Sequence, residues 1–239
     1  MIILTTVYNA QDYIEQCIGS IMGQTFTDFK CYITDDMSTD NTVKLIKDLI
    51  EGDPRFILIE NKVKYYQPGN YDQVIRNNPD IDDNDVCVEI DGDDWLPNSK
   101  TLELINEVYK DPNVWITNGS FQYTNGISGF SSKQDLSGNL RQARMTCSHM
   151  RTWRAFLWRA IKVDDLKDEN GVYWEVTGDL AFMFPMLEMA GEEHYRFIDT
   201  ITYVYNGDNP LNDHKQHMSK VIVIANKIRA MRPYEKLVR

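Results

Sequence analysis

The sequence predicts an α/β fold, with a doubly wound, mostly parallel sheet flanked by helices. Three observations support this fold class. Short apolar runs alternate with amphipathic segments through the first half, acidic residues follow two of those runs, and no linker separates two cores. The 239 residues, 42% of them hydrophobic, suffice for one domain with a core of ordinary size. We therefore expect a single domain over residues 1–239.

The first half alternates strands and helices. Ile2–Thr6 is an apolar run that fits a buried parallel strand. Asn9 could cap the helix that follows, in which apolar residues recur at helical spacing. Further strands are predicted at 31–34, 56–59, 86–90 and 114–117, with helices after the first, second and fourth strands. This β-α-β order indicates parallel pairing.

The second half is less regular. Gly119–Gly138 is rich in Ser, Asn and Gly, which predicts a hairpin and a loop. Later elements are predicted as a helix at 153–163, a helix at 180–190, a strand at 196–205 and a helix at 218–231. Pro185 should kink the second of these helices. The buried face of the last helix is predicted to hold Val221, Ile222, Ala225 and Ile228.

Composition excludes some function classes. Lys and Arg number 25 against 36 Asp and Glu, a net charge of −11, so the chain is a poor candidate for binding nucleic acid. The four cysteines form no CxxC pair and are predicted to be reduced core residues. Neither a signal peptide nor a run of roughly 20 apolar residues is visible, so we expect a cytoplasmic chain.

Acidic residues cluster at two predicted strand ends. Asp35 and Asp36 end the second strand, and Asp91-Gly92-Asp93-Asp94 ends the fourth. Ligands of open α/β sheets bind beyond these carboxyl ends. Carboxylates placed together repel one another, and a divalent cation bridging them to a diphosphate would remove that cost. A solvated turn before the next helix is the alternative.

Several motifs, in this order, resemble those of family 2 glycosyltransferases, which have the GT-A fold. They are Thr5–Ala10, Ile18–Ile21 with Gln24–Phe26, Ile33–Thr42, and Asp91–Pro97, which resembles the family's DxD motif. The resemblance implies a nucleotide-sugar-binding half at 1–97, an acceptor-side half at 98–205, and a C-terminal loop and helix at 206–239. It also implies metal-dependent, inverting transfer of a hexose from a nucleotide diphosphate sugar, UDP being favoured. The acceptor would be a hydroxyl on a glycan, protein or lipid, and the cofactor Mn²⁺ or Mg²⁺.

The resemblance also suggests roles for single residues. Thr6, Tyr8 and Asn9 would line the base pocket, and Asp36 would hydrogen-bond the uracil or ribose. Asp91 or Asp93 would contact the ribose, and Asp93 with Asp94 would hold the metal; the sequence does not decide among the three. The segment from Gln67 to Asn77 departs from the family spacing, which leaves a sugar-side role for Arg76 weakly supported.

An inverting transfer needs a carboxylate to accept the proton of the acceptor hydroxyl. Asp179, in Gly178-Asp179-Leu180, matches the family's base region, and Glu175 is the fallback. Asp179 could also simply cap the helix beginning at Leu180.

Histidines and aromatic residues offer weaker candidates. His214 or His217 would complete the metal shell, and His149 would face the sugar or acceptor. Trp174 is the best candidate for stacking on a sugar, although tryptophans are more often buried in cores. The basic C-terminal segment predicts either cations near a helix end or contact with a membrane surface.

Two other classes remain open from the sequence. One is a catalytically silent GT-A-like module that binds nucleotide or glycan. The other is a nucleotidyltransferase, which would need a Gly-rich loop and basic residues near the first strand; Thr5–Asp12 has neither.

Overall fold

The computed structural model describes residues 1–239, apart from the side chains of Asp213 and His214. Its strands are β1 (Ile2–Val7), β2 (Lys30–Asp35), β3 (Phe56–Glu60), β4 (Val86–Glu89), β5 (Ile116–Tyr123), β6 (Arg151–Arg154) and β7 (Tyr195–Tyr205). The helices are α1 (Ile14–Met22), α2 (Thr42–Ile50), α3 (Tyr66–Asn77), α4 (Thr101–Val108), α5 (Ala155–Ala160), α6 (Gly178–His194), α7 (Asp213–Gln216) and α8 (Met218–Arg229).

All seven strands form one sheet in the order β3-β2-β1-β4-β6-β5-β7. Strand β6 runs antiparallel to both of its neighbours, and the other pairs are parallel, which confirms the predicted mostly parallel sheet. In β1, Val7 pairs with Asp35 of β2, so these strands end at the same edge of the sheet. The chain reverses its direction of strand addition at β1, which makes this edge the topological switch point.

Helices cover both faces of the sheet. Ile2 and Leu4 of β1 contact a core built with α3, α5, α6 and α8. Ile3 and Val7 contact a second core built with α1, α2 and α4. In α1 the buried residues are Ile14, Cys17, Ile18 and Ile21, the spacing of one helix face. The four cysteines are buried and free, as predicted.

The structure corrects several element predictions. Asn9 does not cap α1; its Oδ1 accepts a hydrogen bond of 2.8 Å from the Thr39 backbone N–H. Residues 153–154 belong to β6 rather than to a helix. The break in α6 lies at Gly191, which has a φ of 63°, and not at Pro185.

Two further differences concern helices. Helix α3 was not predicted, because Pro68 and Gly69 in its first turn argue against a helix. In α8 the buried residues are Val221, Ile224 and Ile228, whereas Ile222 is 55% exposed.

The basic C-terminal segment is paired with the body of the protein. Its ion pairs are Lys220–Glu175, Lys227–Glu169, Lys236–Glu193 and Arg239–Asp83. Arg229 donates to the carbonyl oxygens of Arg141 and Ala143. Much of the segment's charge is therefore already compensated. In the described part of the chain, none of the helices has the length and apolar character needed to cross a bilayer.

Candidate active site

A cavity of about 440 Å³ opens where β1, β2 and β4 end. It is lined by Thr6–Tyr8 at the end of β1, Asp36 after β2, Asp91–Asp93 after β4, and Gly178 and Asp179 at the start of α6. Tyr205, Asn209 and His217 close the side formed by the C-terminal segment. Parallel α/β sheets bind their ligands at this edge, so the cavity is the candidate active site.

Gly92 lets the acidic loop lie directly against the end of β1. A Cβ atom at this position would stand 2.3 Å from Cγ1 of Val7 and 3.1 Å from the carbonyl oxygen of Thr6. The Gly92 backbone N–H also donates to that carbonyl, at 3.1 Å. The absence of a side chain therefore fixes the position of the neighbouring carboxylates.

Two carboxylates of this loop face the cavity. Oδ1 of Asp91 accepts from Nε2 of Gln67 at 3.0 Å, and Oδ2 of Asp93 accepts from Nδ2 of Asn209 at 2.6 Å. Among the described residues, neither forms an ion pair with a Lys or Arg. Burial raises the pKa of Asp93, and burial, then Glu89 and Asp93, raise the pKa of Asp91 well above its usual range.

Asp94 is oriented differently. It is 1% exposed and does not line the cavity. Its Oδ1 accepts from the Asn206 backbone N–H at 2.7 Å, while its Oδ2 has no hydrogen-bond partner in the described part of the chain. Burial, then Asp93 and Asp91, raise its pKa well above the usual range.

The oxygen donors of this loop fit a hard divalent cation. Mg²⁺ and Mn²⁺ prefer carboxylate oxygens, and a cation would offset both the burial and the mutual repulsion that raise the pKa values of Asp91 and Asp94. A second possible group consists of Glu89, Asp91 and His149, whose ligand atoms lie within 4.8 Å of one another. Glu89, however, already accepts two hydrogen bonds from Arg151, at 2.9 and 3.0 Å.

The residues predicted to line the base pocket lie on the side of the cavity formed by the ends of β1 and β2. Thr6 and Tyr8 line it, with Tyr8 42% exposed and Nζ of Lys64 3.0 Å from the centroid of its ring. Asp36 also lines the cavity, but its carboxylate is engaged by the chain itself. It accepts from the backbone N–H groups of Tyr65 and Tyr66, at 2.9 and 3.0 Å, and from Asn61. Asn9 is not among the lining residues.

Asp179 lies in the first turn of α6 and lines the cavity. Its Oδ1 accepts from the Leu180 backbone N–H at 3.0 Å, and its Oδ2 accepts from Nη2 of Arg151 at 2.8 Å. The N-cap position belongs to Thr177. A Cβ atom at Gly178 would stand 2.7 Å from Cδ of Pro68, so α6 begins in close contact with α3.

The weaker candidates divide into lining and packing residues. Glu175 lines the cavity and pairs with Lys220 at 2.5 Å. Trp174 also lines it, but is only 4% exposed and donates to the Asp165 carbonyl. His217 is a lining residue, whereas the side chain of His214 lies outside the described residues.

His149 lines the cavity and is stacked against two tyrosines. Its ring lies 4.6 Å from that of Tyr203 and 5.3 Å from that of Tyr205. Burial, and secondarily Arg151, lower its pKa well below the usual range, so the ring is neutral at neutral pH.

The structure does not support the sugar-side role predicted for Arg76, because Arg76 does not line the cavity. It pairs with Asp72 at 2.5 Å and donates to the carbonyl oxygens of Trp158, Arg159 and Ile161. Its contacts join α3 to α5, a structural role in place of the predicted sugar-side one.

Sequence reasoning missed three residues that connect the two sides of the cavity. Nε2 of Gln67 donates to both Glu89 and Asp91, at 2.9 and 3.0 Å, and Arg151 bridges Glu89 to Asp179. One signal was available: Glu89 is a charged residue within an apolar strand, and a buried carboxylate requires a partner. Nothing local indicated that the partner was Arg151.

The chain matches the model of one family of known proteins. The model of the family "Glycosyl transferase family 2" matches residues 2–162. The chain is 25% identical over 230 residues to a chondroitin synthase of Escherichia coli, covering 90% of this chain and 31% of that protein. It is 26% identical over 219 residues to a hyaluronan synthase of Pasteurella multocida, covering 84% and 20%. The chain thus spans less than a third of the length of these two relatives.

Solved structures share the fold. S. aureus TarS in complex with UDP-GlcNAc superposes with a TM-score of 0.66 at 13% identity, covering 95% of this chain and 65% of that one. The mannosyltransferase PcManGT from Pyrobaculum calidifontis, in complex with GDP-Man and Mn²⁺, gives a TM-score of 0.61 at 16% identity, covering 98% and 65%. These likenesses confirm the predicted GT-A fold.

Proposed function

Because the chain belongs to glycosyl transferase family 2, we propose that it is a metal-dependent, inverting enzyme that transfers a hexose from a UDP-sugar to an acceptor hydroxyl. The observation that supports this best is the arrangement of carboxylates around one cavity. Asp91 and Asp93 lie there without a basic partner among the described residues, and Asp179 faces the same cavity from α6. Family membership disfavours the nucleotidyltransferase alternative.

In this proposal the donor occupies the edge formed by β1, β2 and β4. Thr6 and Tyr8 border the base, and Asp36 holds the backbone of residues 65–66 that borders the same pocket. Asp91 contacts the ribose, and Asp93, with Asp94 behind it, holds Mn²⁺ or Mg²⁺. When bound, that cation would supply positive charge to the departing diphosphate.

Asp179 acts from the opposite side. Its carboxylate accepts the proton of the acceptor hydroxyl, and the oxygen attacks the anomeric carbon on the face opposite the diphosphate. Single displacement inverts the configuration at that carbon. Glu175 is the less favoured base because Asp179, in the first turn of α6, is the residue that matches the family's base region.

A UDP-sugar is proposed because TarS, a structural neighbour, was solved with UDP-GlcNAc; the GDP-Man complex of PcManGT makes GDP-sugars the competing class. The acceptor is proposed to be a glycan, protein or lipid hydroxyl. We do not extend the proposal to membrane contact, because Lys220, Lys227, Lys236 and Arg239 already pair with carboxylates of the body.

A donor screen tests this proposal. The thermal midpoint of the chain is measured with UDP-GlcNAc, UDP-glucose, GDP-mannose and TDP-glucose, each with and without Mn²⁺. We expect a UDP-sugar with Mn²⁺ to stabilise the fold most, by about 2.7 kcal/mol at a hundredfold excess over Kd. Release of UDP from that donor distinguishes an enzyme from a silent binding module. A shift with none of the donors would contradict the proposal.

A further inference from the structure

We infer that Glu89 and Arg151 form a buried positioning pair that holds the carboxylate of Asp179 in one orientation. The inference rests on the proposed function, because it requires Asp179 to accept the acceptor's proton. Neither residue lies in a motif that the resemblance covered.

One guanidinium spans two carboxylates from different elements. Nη1 of Arg151, on β6, donates to both oxygens of Glu89, on the adjacent strand β4, at 2.9 and 3.0 Å. Nη2 donates to Oδ2 of Asp179, on α6, at 2.8 Å. The side chains of Arg151 and Glu89 are 5% and 0% exposed, whereas that of Asp179 is 32% exposed. The pair is therefore fixed inside the protein, and only Asp179 reaches solvent.

This geometry restricts Asp179. One oxygen is held by Arg151 and the other by the Leu180 backbone N–H, so the plane of the carboxylate is fixed by two elements. A planar guanidinium provides such directional contacts better than a lysine ammonium. Holding a base in one orientation reduces the loss of freedom on reaching the transition state.

The guanidinium of Arg151 stays charged. Burial lowers the pKa of Arg151, but Glu89 and Asp179 outweigh burial and the net pKa is raised. Glu89 accepts two hydrogen bonds from Nη1 and so holds Arg151 in place beside Asp179. Arg151 therefore orients Asp179, and Glu89 orients Arg151.

Other charged or titratable groups border the same cavity. They are Tyr8, Asp36, Lys64 and Tyr66 on the side of β1, β2 and α3; Asp91, Asp93 and His149 beside β4 and β6; and Glu175, Tyr205 and His217 on the C-terminal side, where Glu175 pairs with Lys220. In the described part of the chain, Arg151 alone forms an ion pair with Asp179. Substitution of Glu89 should therefore act on Asp179 chiefly through Arg151.

The test compares Glu89→Gln with a matched control. Glu188, also on α6, forms a buried pair with Arg141, at 2.7 and 2.9 Å, away from the cavity. The full chain is assayed for UDP release from the donor selected in the screen, with Mn²⁺ and water as acceptor. For Glu89→Gln we expect kcat to fall roughly tenfold while the KM for the donor stays within about twofold, because a misoriented base slows the chemical step and not donor binding. Glu188→Gln should lose thermal stability but keep the wild-type kcat.

A wild-type kcat in a folded Glu89→Gln protein would overturn the inference and leave the pair a purely structural one. If that variant does not fold, Arg151→Lys decides: its ammonium contacts one carboxylate at a time, so kcat should fall while the KM for the donor stays within about twofold. Wild-type kcat in Arg151→Lys would also overturn the inference. Asp179→Asn separates this inference from the proposed function, since full turnover by that variant refutes the assignment of the base itself.

Discussion

The carboxylates on the side proposed to bind the donor lack basic partners among the described residues, whereas those on the side proposed to bind the acceptor have them. On the donor side, Asp91, Asp93 and Asp94 form no ion pair with a basic residue among those described, and their pKa values are raised. On the acceptor side, Asp179 pairs with Arg151 and Glu175 pairs with Lys220.

The difference indicates which charge the fold leaves for a ligand. Carboxylates placed together without a cation destabilise the folded state, so the donor side favours an ion supplied from outside. The acceptor side contains its own cations, and no external ion is needed to keep Asp179 in place. Four substitutions test this contrast.

The largest effect is expected for Asp179→Asn. An amide cannot accept the acceptor's proton, so transfer should fall roughly 10²–10⁴-fold. Donor binding, measured as the thermal shift with the selected UDP-sugar and Mn²⁺, should be unchanged because Asp179 lies on the acceptor side. Loss of both transfer and donor binding would contradict the assignment of Asp179 to the acceptor side alone.

Asp93→Asn should weaken the binding of the metal ion. Loss of partners that merely support a metal ligand costs roughly ten- to a hundredfold in affinity, so loss of the ligand itself should weaken Mn²⁺ binding by at least that factor. The Mn²⁺ concentration that gives half-maximal activity is the measurement. Asp208→Asn is the control, since Asp208 is an exposed carboxylate nearby that does not line the cavity. Equal effects of the two substitutions would contradict the role of Asp93.

Asp94→Asn should stabilise the metal-free protein. Asparagine can keep the bond from the Asn206 backbone N–H while removing a buried charge. Relief of about 1 kcal/mol would raise Tm by about 2–4 °C in EDTA. The folded carboxyl has the higher pKa, so the wild type loses stability as pH rises above the unfolded value of about 3.9, and the gain should be larger at pH 8 than at pH 5. Destabilisation at both pH values would show that the charge of Asp94 is compensated in the fold. Asp48→Asn, at an exposed position of α2, controls for the loss of a surface charge.

Glu175→Gln should change least. Its pair with Lys220 is partly exposed, with side chains 34% and 46% accessible, and such pairs contribute about 0–1 kcal/mol. Transfer within about twofold of wild type and a nearly unchanged Tm are expected. A loss of transfer as large as that of Asp179→Asn would move the role of base to Glu175.

The sheet was predictable because its signals are local. The apolar runs of β1, β2 and β4 and the acids that follow them lie within short stretches, so parallel pairing and the cavity edge could be inferred together. Helix α3 could not be predicted, because Pro68 and Gly69 disfavour a helix. The backbone N–H groups at its start donate to the carboxylate of Asp36, about thirty residues earlier in the sequence.

The acceptor side depends on distant partners. Glu89 and Arg151 are 62 positions apart, and no pattern in either segment identifies the other. For Arg76 the sequence suggested a contact that the structure does not have. Its neighbours in the sequence predicted a contact with the sugar, whereas its guanidinium donates to three backbone carbonyl oxygens.

The antiparallel strand β6, inserted between β4 and β5, has a consequence for biosynthesis. During translation, β4 is an open edge with Glu89 unmatched until residue 154 has left the ribosome. Non-local pairing of this kind slows folding and prolongs exposure of the edge to other chains. Since β4 precedes residue 97 and its partner β6 follows it, we expect a chain ending at residue 97 to expose the edge of β4 and to be prone to aggregate.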